Sequence, residues 1–244
     1  MTLATAPTWA ALDEVRWIGV SDADALCRAA CRRIEYTARQ AIALRGRYFI
    51  VLAGGVIPTA VYRLLREADC AWSRWQVFFS DERCLPTNDH ARNSHAAATA
   101  WLDHVAIPPT QIHVIPAERG AHTAAAAYAH TLHGVGLFDL VLLGLGADGH
   151  IAGLFPGREW GVASDTADTI AIHNAPVPPA ERVAQSASRL CRSRAALVLV
   201  SGENKRRAVT RWRSGERLPV NAIKLASGVD VLIEKALLEP HSIT

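Results

Sequence analysis

No stretch of this chain stays apolar for the ~18 residues that a membrane-spanning helix requires, so a helical membrane protein is excluded and no membrane partner is expected. The opening segment, MTLATAPTWAALDEVRW, has no basic region followed by an apolar one, and no signal peptide is expected there. There is no C-x-x-C pair. The five cysteines (Cys27, Cys31, Cys70, Cys84 and Cys191) are odd in number, which argues against a disulfide framework and for a reducing, cytoplasmic setting. Cys27 and Cys31 fall in a helical pattern and are expected to pack on one face rather than bind metal. His90, His95, His104, His113, His122, His130 and His133 form no H-E-x-x-H or comparable spacing, so no metal site is expected. Neither sign of charge dominates. A net charge of +3 suits an anionic small ligand and is too weak to argue for nucleic acid. Linkers rich in Ser, Pro or Gly, low-complexity tracts and internal repeats are all missing, and one domain over residues 1–244 is expected.

What the chain does have is apolar runs alternating with amphipathic ones. Ser21 is placed to cap a helix that runs to about Leu44, with Ala25, Leu26, Ala29, Ala30, Ile34, Ala38 and Ile42 at helical spacing. Strands are expected at Tyr48–Leu52, Gln76–Phe79, Ile112–Ile115, Phe138–Leu145, Asp168–Ile172, Arg182–Ala187, Ala195–Val200 and Val229–Ile233. Further helices are expected near Pro58–Glu67, His90–Leu102, Ala121–Leu132 and Glu203–Trp212. This alternation predicts an α/β protein of three layers, a mostly parallel sheet with helices on both faces. Such a sheet gathers its strand–helix turns along one edge. The turns after residues 52, 79, 145 and 200 are therefore expected to share one site, bringing together Gly54-Gly55, Asp81-Glu82-Arg83, Asp148 with His150, and Lys205.

Each turn carries a chemical possibility. Gly54-Gly55 lets backbone approach a ligand and precedes a helix start, where N–H groups attract anions; it could equally be a simple tight turn. Arg83 offers a planar fork for phosphate or a developing oxyanion, in a triplet that could also be a surface ion cluster. His150 follows a glycine turn at a strand end, and a free imidazole titrates near ~6.5, so it is a candidate base. Asp148 could orient that ring or cap the turn. Lys205 can set an ammonium at the shared edge, and Arg182, after the Pro176–Pro179 loop, is a second anion partner. Arg206, Arg207, Arg211 and Arg213 read as a solvated basic face without the aromatic interleaving of a nucleic-acid site. The run GLGADG matches G-x-G-x-x-G, yet Gly153, Pro156 and Gly157 break the helix that a dinucleotide site needs, so no such cofactor is expected.

Together these motifs resemble the 6-phosphogluconolactonase family, within the wider group of sugar-phosphate isomerases and deaminases. AGGVIP at 53–58 stands where that family has S-G-G-x-T-P, and SDERCLP at 80–86 resembles its D-E-R-x-V-P. Asn93 matches the Asn of an S-N pair, with Arg92 for the Ser. GLGADGHIAGLFPG at 144–157 follows G-x-G-x-D-G-H-x-A-S-L-F-P-G with Gly153 for Ser, PPAERV leads to Arg182, and SGENK matches G-x-x-K. Ala53, Ile57 and Ala184 depart from the pattern, each losing a hydroxyl. The resemblance implies a Rossmann-like fold of sugar-phosphate isomerase/deaminase type. It implies hydrolysis of 6-phospho-D-glucono-1,5-lactone in the oxidative pentose phosphate pathway, without cofactor, by a monomer or weak dimer. His150 is then the general base, Asp148 its partner and Arg83 the oxyanion or phosphate donor. Gly54, Gly55, Asp81, Asn93, Arg182 and Lys205 would bind substrate. Two rivals remain. A glucosamine-6-phosphate deaminase has a related D-G-H element, but tends to follow it with A-F-N-E-P and to carry D-E-Y where this chain reads D-E-R. A catalytically weak homologue that only binds sugar phosphate would account for Ala53 and Ile57.

Overall fold

The computed structural model describes residues 15–239; the opening segment read above for a signal peptide lies largely outside them. Helix α1 (Ala23–Arg45) starts where Asp22, in extended backbone, accepts the Ala25 N–H at 2.7 Å. The cap is therefore Asp22 and not Ser21, whose hydroxyl instead donates to the Asp22 carboxylate at 2.7 Å. Gly46 ends the helix in the left-handed region (φ 74°) and returns its N–H to the Ile42 carbonyl. Leu26, Cys27, Ala30, Cys31, Ile34, Ala38 and Ala41 form the buried stripe, so the two cysteines do share a face. Among the described residues all cysteines are free thiols, and no helix is long and apolar enough to cross a membrane.

Six strands form one sheet, every pairing parallel: β1 (Val15–Val20), β2 (Tyr48–Leu52), β3 (Trp75–Phe79), β5 (Leu140–Gly144), β8 (Ala196–Val200) and β9 (Val229–Glu234), in the order β1-β9-β8-β5-β2-β3. Every residue of β8 is buried, as a strand covered on both faces must be. The chain runs outward from β2 to β3, then returns to insert β5 on the other side of β2. That reversal opens a crevice at the carboxyl ends of β2 and β5. The connecting helices are α2 (Val56–Leu65), α3 (Asn93–Ala100), α4 (Ala121–Leu132), α5 (Ala187–Cys191) and α6 (Arg206–Arg213).

Residues 15–20, for which the sequence indicates no element, form β1, which pairs with β9. Two expectations change. Residues 112–115 make only a single bridge, Ile112 to Val77, because their backbone groups go elsewhere: Arg92 donates to the Ile115 carbonyl at 2.8 Å and the Tyr128 hydroxyl to that of His113 at 3.1 Å. Finally, β4 (Asp81–Arg83), β6 (Thr169–Ile172) and β7 (Arg182–Gln185) build a second, antiparallel sheet in the order β4-β7-β6. The charged triplet 81–83 is thus a strand and not a wet loop, and Glu82 is fully buried.

Candidate active site

The turns following β2, β3, β5 and β8 converge on one cavity of about 640 Å³, within the range of ~300–1,000 Å³ usual for small-molecule sites. Its walls include all nine residues singled out above: Gly54, Gly55, Asp81, Arg83, Asn93, Asp148, His150, Arg182 and Lys205. Three basic side chains (Arg83, Arg182, Lys205) share the walls with two carboxylates (Asp81, Asp148), which favours an anionic occupant.

One part of the wall lies where β2 passes into α2. Gly55 caps that helix at φ 107° with no side-chain hydrogen bond, so the first-turn amides of residues 56 and 57 have no acceptor within the helix. Gly54 is required by packing: a Cβ there would lie 1.9 Å from Asn93 Oδ1. Gly54→Ala must therefore displace Asn93, and is expected to raise KM and lower Tm together; a variant with unchanged KM would show that this turn does not touch substrate. The lost hydroxyls have a structural counterpart. Ala53 is buried with its carbonyl accepting from the Tyr62 hydroxyl at 2.7 Å, and Ile57 gives this end of the cavity an apolar wall. Lys205 is the last residue of a short 3₁₀ turn, Glu203–Lys205, that leads into α6. Burial holds its ammonium below the ordinary lysine value, and the charge of Asp148 opposes that shift.

In the same cavity the turn after β5 is closed by the Gly146 N–H on the His150 carbonyl at 2.7 Å. Asp148 Oδ1 lies 2.5 Å from His150 Nδ1 and also accepts the His150 backbone N–H at 3.1 Å. A carboxylate at Nδ1 selects the tautomer with hydrogen there, leaving Nε2 as the basic nitrogen. Burial works against the Asp148 charge, but its hydrogen bonds with His150 and the imidazole's charge outweigh it and hold the carboxyl below the ordinary range. The ring rests on Phe155 at 4.9 Å between centroids, and the His150 side chain remains 22% exposed, open to the cavity. Ala152, two residues on, sits in the left-handed region at φ 47°, a strained setting for a residue with a Cβ.

Two arginines also line the cavity. Arg83 and Arg182 are directly opposed across β4 and β7, like charges side by side, with Asp81 beside them. Burial raises the Asp81 carboxyl, and Arg83 and Arg182 pull against it. Arg182 is largely committed: Nη2 donates to the Val177 and Pro178 carbonyls at 3.0 Å each, Nε to that of Pro179 at 3.3 Å, and Nη1 stands 3.8 Å from Asp81. Arg83 gives Nη1 to the Ala91 carbonyl, while its buried Nε has no hydrogen-bond acceptor among the described residues. Asn93 donates Nδ2 to the carbonyl and carboxylate of Asp81, at 2.9 and 3.1 Å, so it braces the wall. Sequence reasoning passed over Ser80, Ser201 and Asn204, which also line the cavity; their signal was position alone, just beyond β3 and β8.

Fold and site define an α/β protein with basic side chains and a carboxylate-held imidazole in one cavity at the sheet edge. A family model described as "Glucosamine-6-phosphate isomerases/6-phosphogluconolactonase" matches residues 21–232, and the chain belongs to that family. The 6-phosphogluconolactonase of Mycobacterium leprae is 36% identical over 236 residues, covering 91% of this chain and 94% of its own. The crystal structure of 6-phosphogluconolactonase from Thermotoga maritima superimposes with a TM-score of 0.82 at 22% identity, over 91% of this chain and 100% of that one. A monomeric glucosamine-6-phosphate deaminase gives 0.77 at 19% identity, over 91% and 98%. The fold is thus common to both activities, and the site residues must separate them.

Proposed function

We propose that this chain hydrolyses 6-phospho-D-glucono-1,5-lactone to 6-phospho-D-gluconate, with His150 as general base. One observation carries the reading: an imidazole with its Nδ1 side held by Asp148 shares a cavity with Lys205 and the Gly54-Gly55 turn. A lactone is already an activated acyl group, so the protein need only activate water and stabilise one oxyanion. Nε2 of His150 takes a proton as water oxygen bonds to C1. The carbonyl electron pair moves onto oxygen, where Arg83 stabilises it. When the carbonyl re-forms, the C1–ring-oxygen bond breaks and the ring oxygen takes the proton back from the imidazolium. The acid so formed ionises to the carboxylate. Gly54, Gly55 and Lys205 hold the phosphate at the other end, with Asp81, Asn93 and Arg182 shaping the wall between.

The test is acid release from freshly prepared lactone, corrected for spontaneous opening, beside ammonia release from glucosamine 6-phosphate. Acid without ammonia is expected. Ammonia alone would establish the deaminase reading, and binding without either product a sugar-phosphate receptor. Lys205→Ala should raise KM by about 10- to 100-fold, the worth of one charged hydrogen bond, and leave kcat nearly unchanged. A pure kcat defect would remove Lys205 from phosphate binding.

A further inference from the structure

We propose that Arg211 is a positioning residue for this reaction, fixing the turn that carries the imidazole; the proposal rests on His150 as the base. Within the sequence Arg211 belongs to a basic helix that reads as solvated. In the structure its Nη1 donates to the Asp148 carbonyl at 2.8 Å, across 63 residues of chain. Its Nε and Nη2 grip the two oxygens of Glu216, Nε at 2.8 Å, a fork-to-fork pairing that aims Nη1 at the turn. From the same segment, the fully buried Leu218 packs against the next peptide: a Cβ on Gly149 would lie 2.9 Å from Leu218 Cδ2. Residues 211–218 thus clasp the 148–149 peptide by a charged hydrogen bond and an apolar contact.

Of the other arginines of α6, Arg206 pairs with Glu203 and the Glu239 carbonyl and Arg213 with the Leu238 carbonyl, while the charge of Arg207 also acts on Glu216. The clasp matters because the turn is glycine-rich. Gly144, Gly146 and Gly149 give the backbone freedom that the reaction cannot use. A base must stand within about 2.6–3.2 Å of the proton it takes, and a displacement of ~1 Å can cost ~10²-fold. Lys205 precedes the first residue of α6 and Arg211 lies within it, so one short helix ties the anion clamp to the base.

The test is a double-mutant cycle with kcat and KM read separately. Arg211→Ala is expected to lower kcat by about 10- to 100-fold with KM little changed. Arg211→Lys, which can still donate to the carbonyl but cannot pair with Glu216 through a fork, should recover part of the loss. In a His150→Asn background Arg211→Ala should cost nothing further, because the group it positions is gone. A folded Arg211→Ala variant with unchanged kcat overturns the proposal, as does an equal fold-loss in both backgrounds. Full turnover by His150→Asn alone would overturn the base assignment and this proposal with it. If Arg211→Ala does not fold, Glu216→Gln loosens the fork without deleting it: a smaller kcat loss with the same split supports the clasp, and an unchanged kcat refutes it.

Discussion

His150→Asn is expected to lower kcat by at least ~10²-fold while KM and Tm stay close to their starting values, since a positioned general base supplies ~10²–10⁴-fold. Asparagine can keep a hydrogen bond to Asp148 and fills a similar volume, so the turn should hold its shape while the proton acceptor is lost. Asp148→Asn attacks the same function by another route. The carboxylate 2.5 Å from Nδ1 keeps the hydrogen on that nitrogen. A carboxamide can present its N–H there, favour the opposite tautomer and leave Nε2 protonated. Its expected signature is a fall in kcat of the same order, without loss of phosphate binding. The check is steady-state kinetics on both variants beside circular-dichroism melts. A His150→Asn protein that turns over normally would end the general-base mechanism.

The second large effect concerns the frame rather than the chemistry. Glu82 is fully buried, and its two oxygens accept the first-turn N–H groups of α3, from Asn93 at 2.7 Å and Ser94 at 2.8 Å, as well as the Arg83 N–H at 2.9 Å. It also pairs with the equally buried Arg92 at 3.4 Å. One side chain therefore caps a helix, fixes the backbone of Arg83 and balances a buried guanidinium. Glu82→Ala leaves all of these donors without their acceptor, and breaking a buried pair from one side costs about 3–5 kcal/mol. Urea unfolding of Glu82→Ala is expected to show a loss of at least ~3 kcal/mol, with Glu82→Gln, which keeps one acceptor oxygen, falling between. A loss below ~1 kcal/mol would mean that the network is solvated and carries little of the fold.

Much of this was legible in residues 48–52, 140–144 and 196–200, where short apolar runs rich in β-branched and aliphatic residues fit strands covered on both faces. Parallel strands deliver their following turns to one edge, so the Gly54-Gly55 pair and the charged residues just beyond strand ends fall on one cavity. The illegible parts depend on partners distant in sequence. The triplet 81–83 looks like a loop because three charges do not announce a strand; it becomes one by pairing with residues 182–184. Residues 15–20 are only half-buried, and their partner, β9, lies far away in sequence. Arg211 looks solvated until the Asp148 carbonyl is set before it, and Glu82 looks like surface charge until α3 begins above it. Composition and periodicity record what a segment can bury, not which distant donor needs its oxygen.

The account turns on one cavity holding an anion at one wall and a reacting carbonyl at the other. A crystal structure of the protein with 6-phosphogluconate, the expected product, tests this most directly. The phosphate should lie against Lys205 and the Gly54-Gly55 turn, with the C1 carboxylate within about 3 Å of His150 Nε2, the reach of a working base. A phosphate seated beside His150, or a product bound with C1 facing solvent, would contradict it.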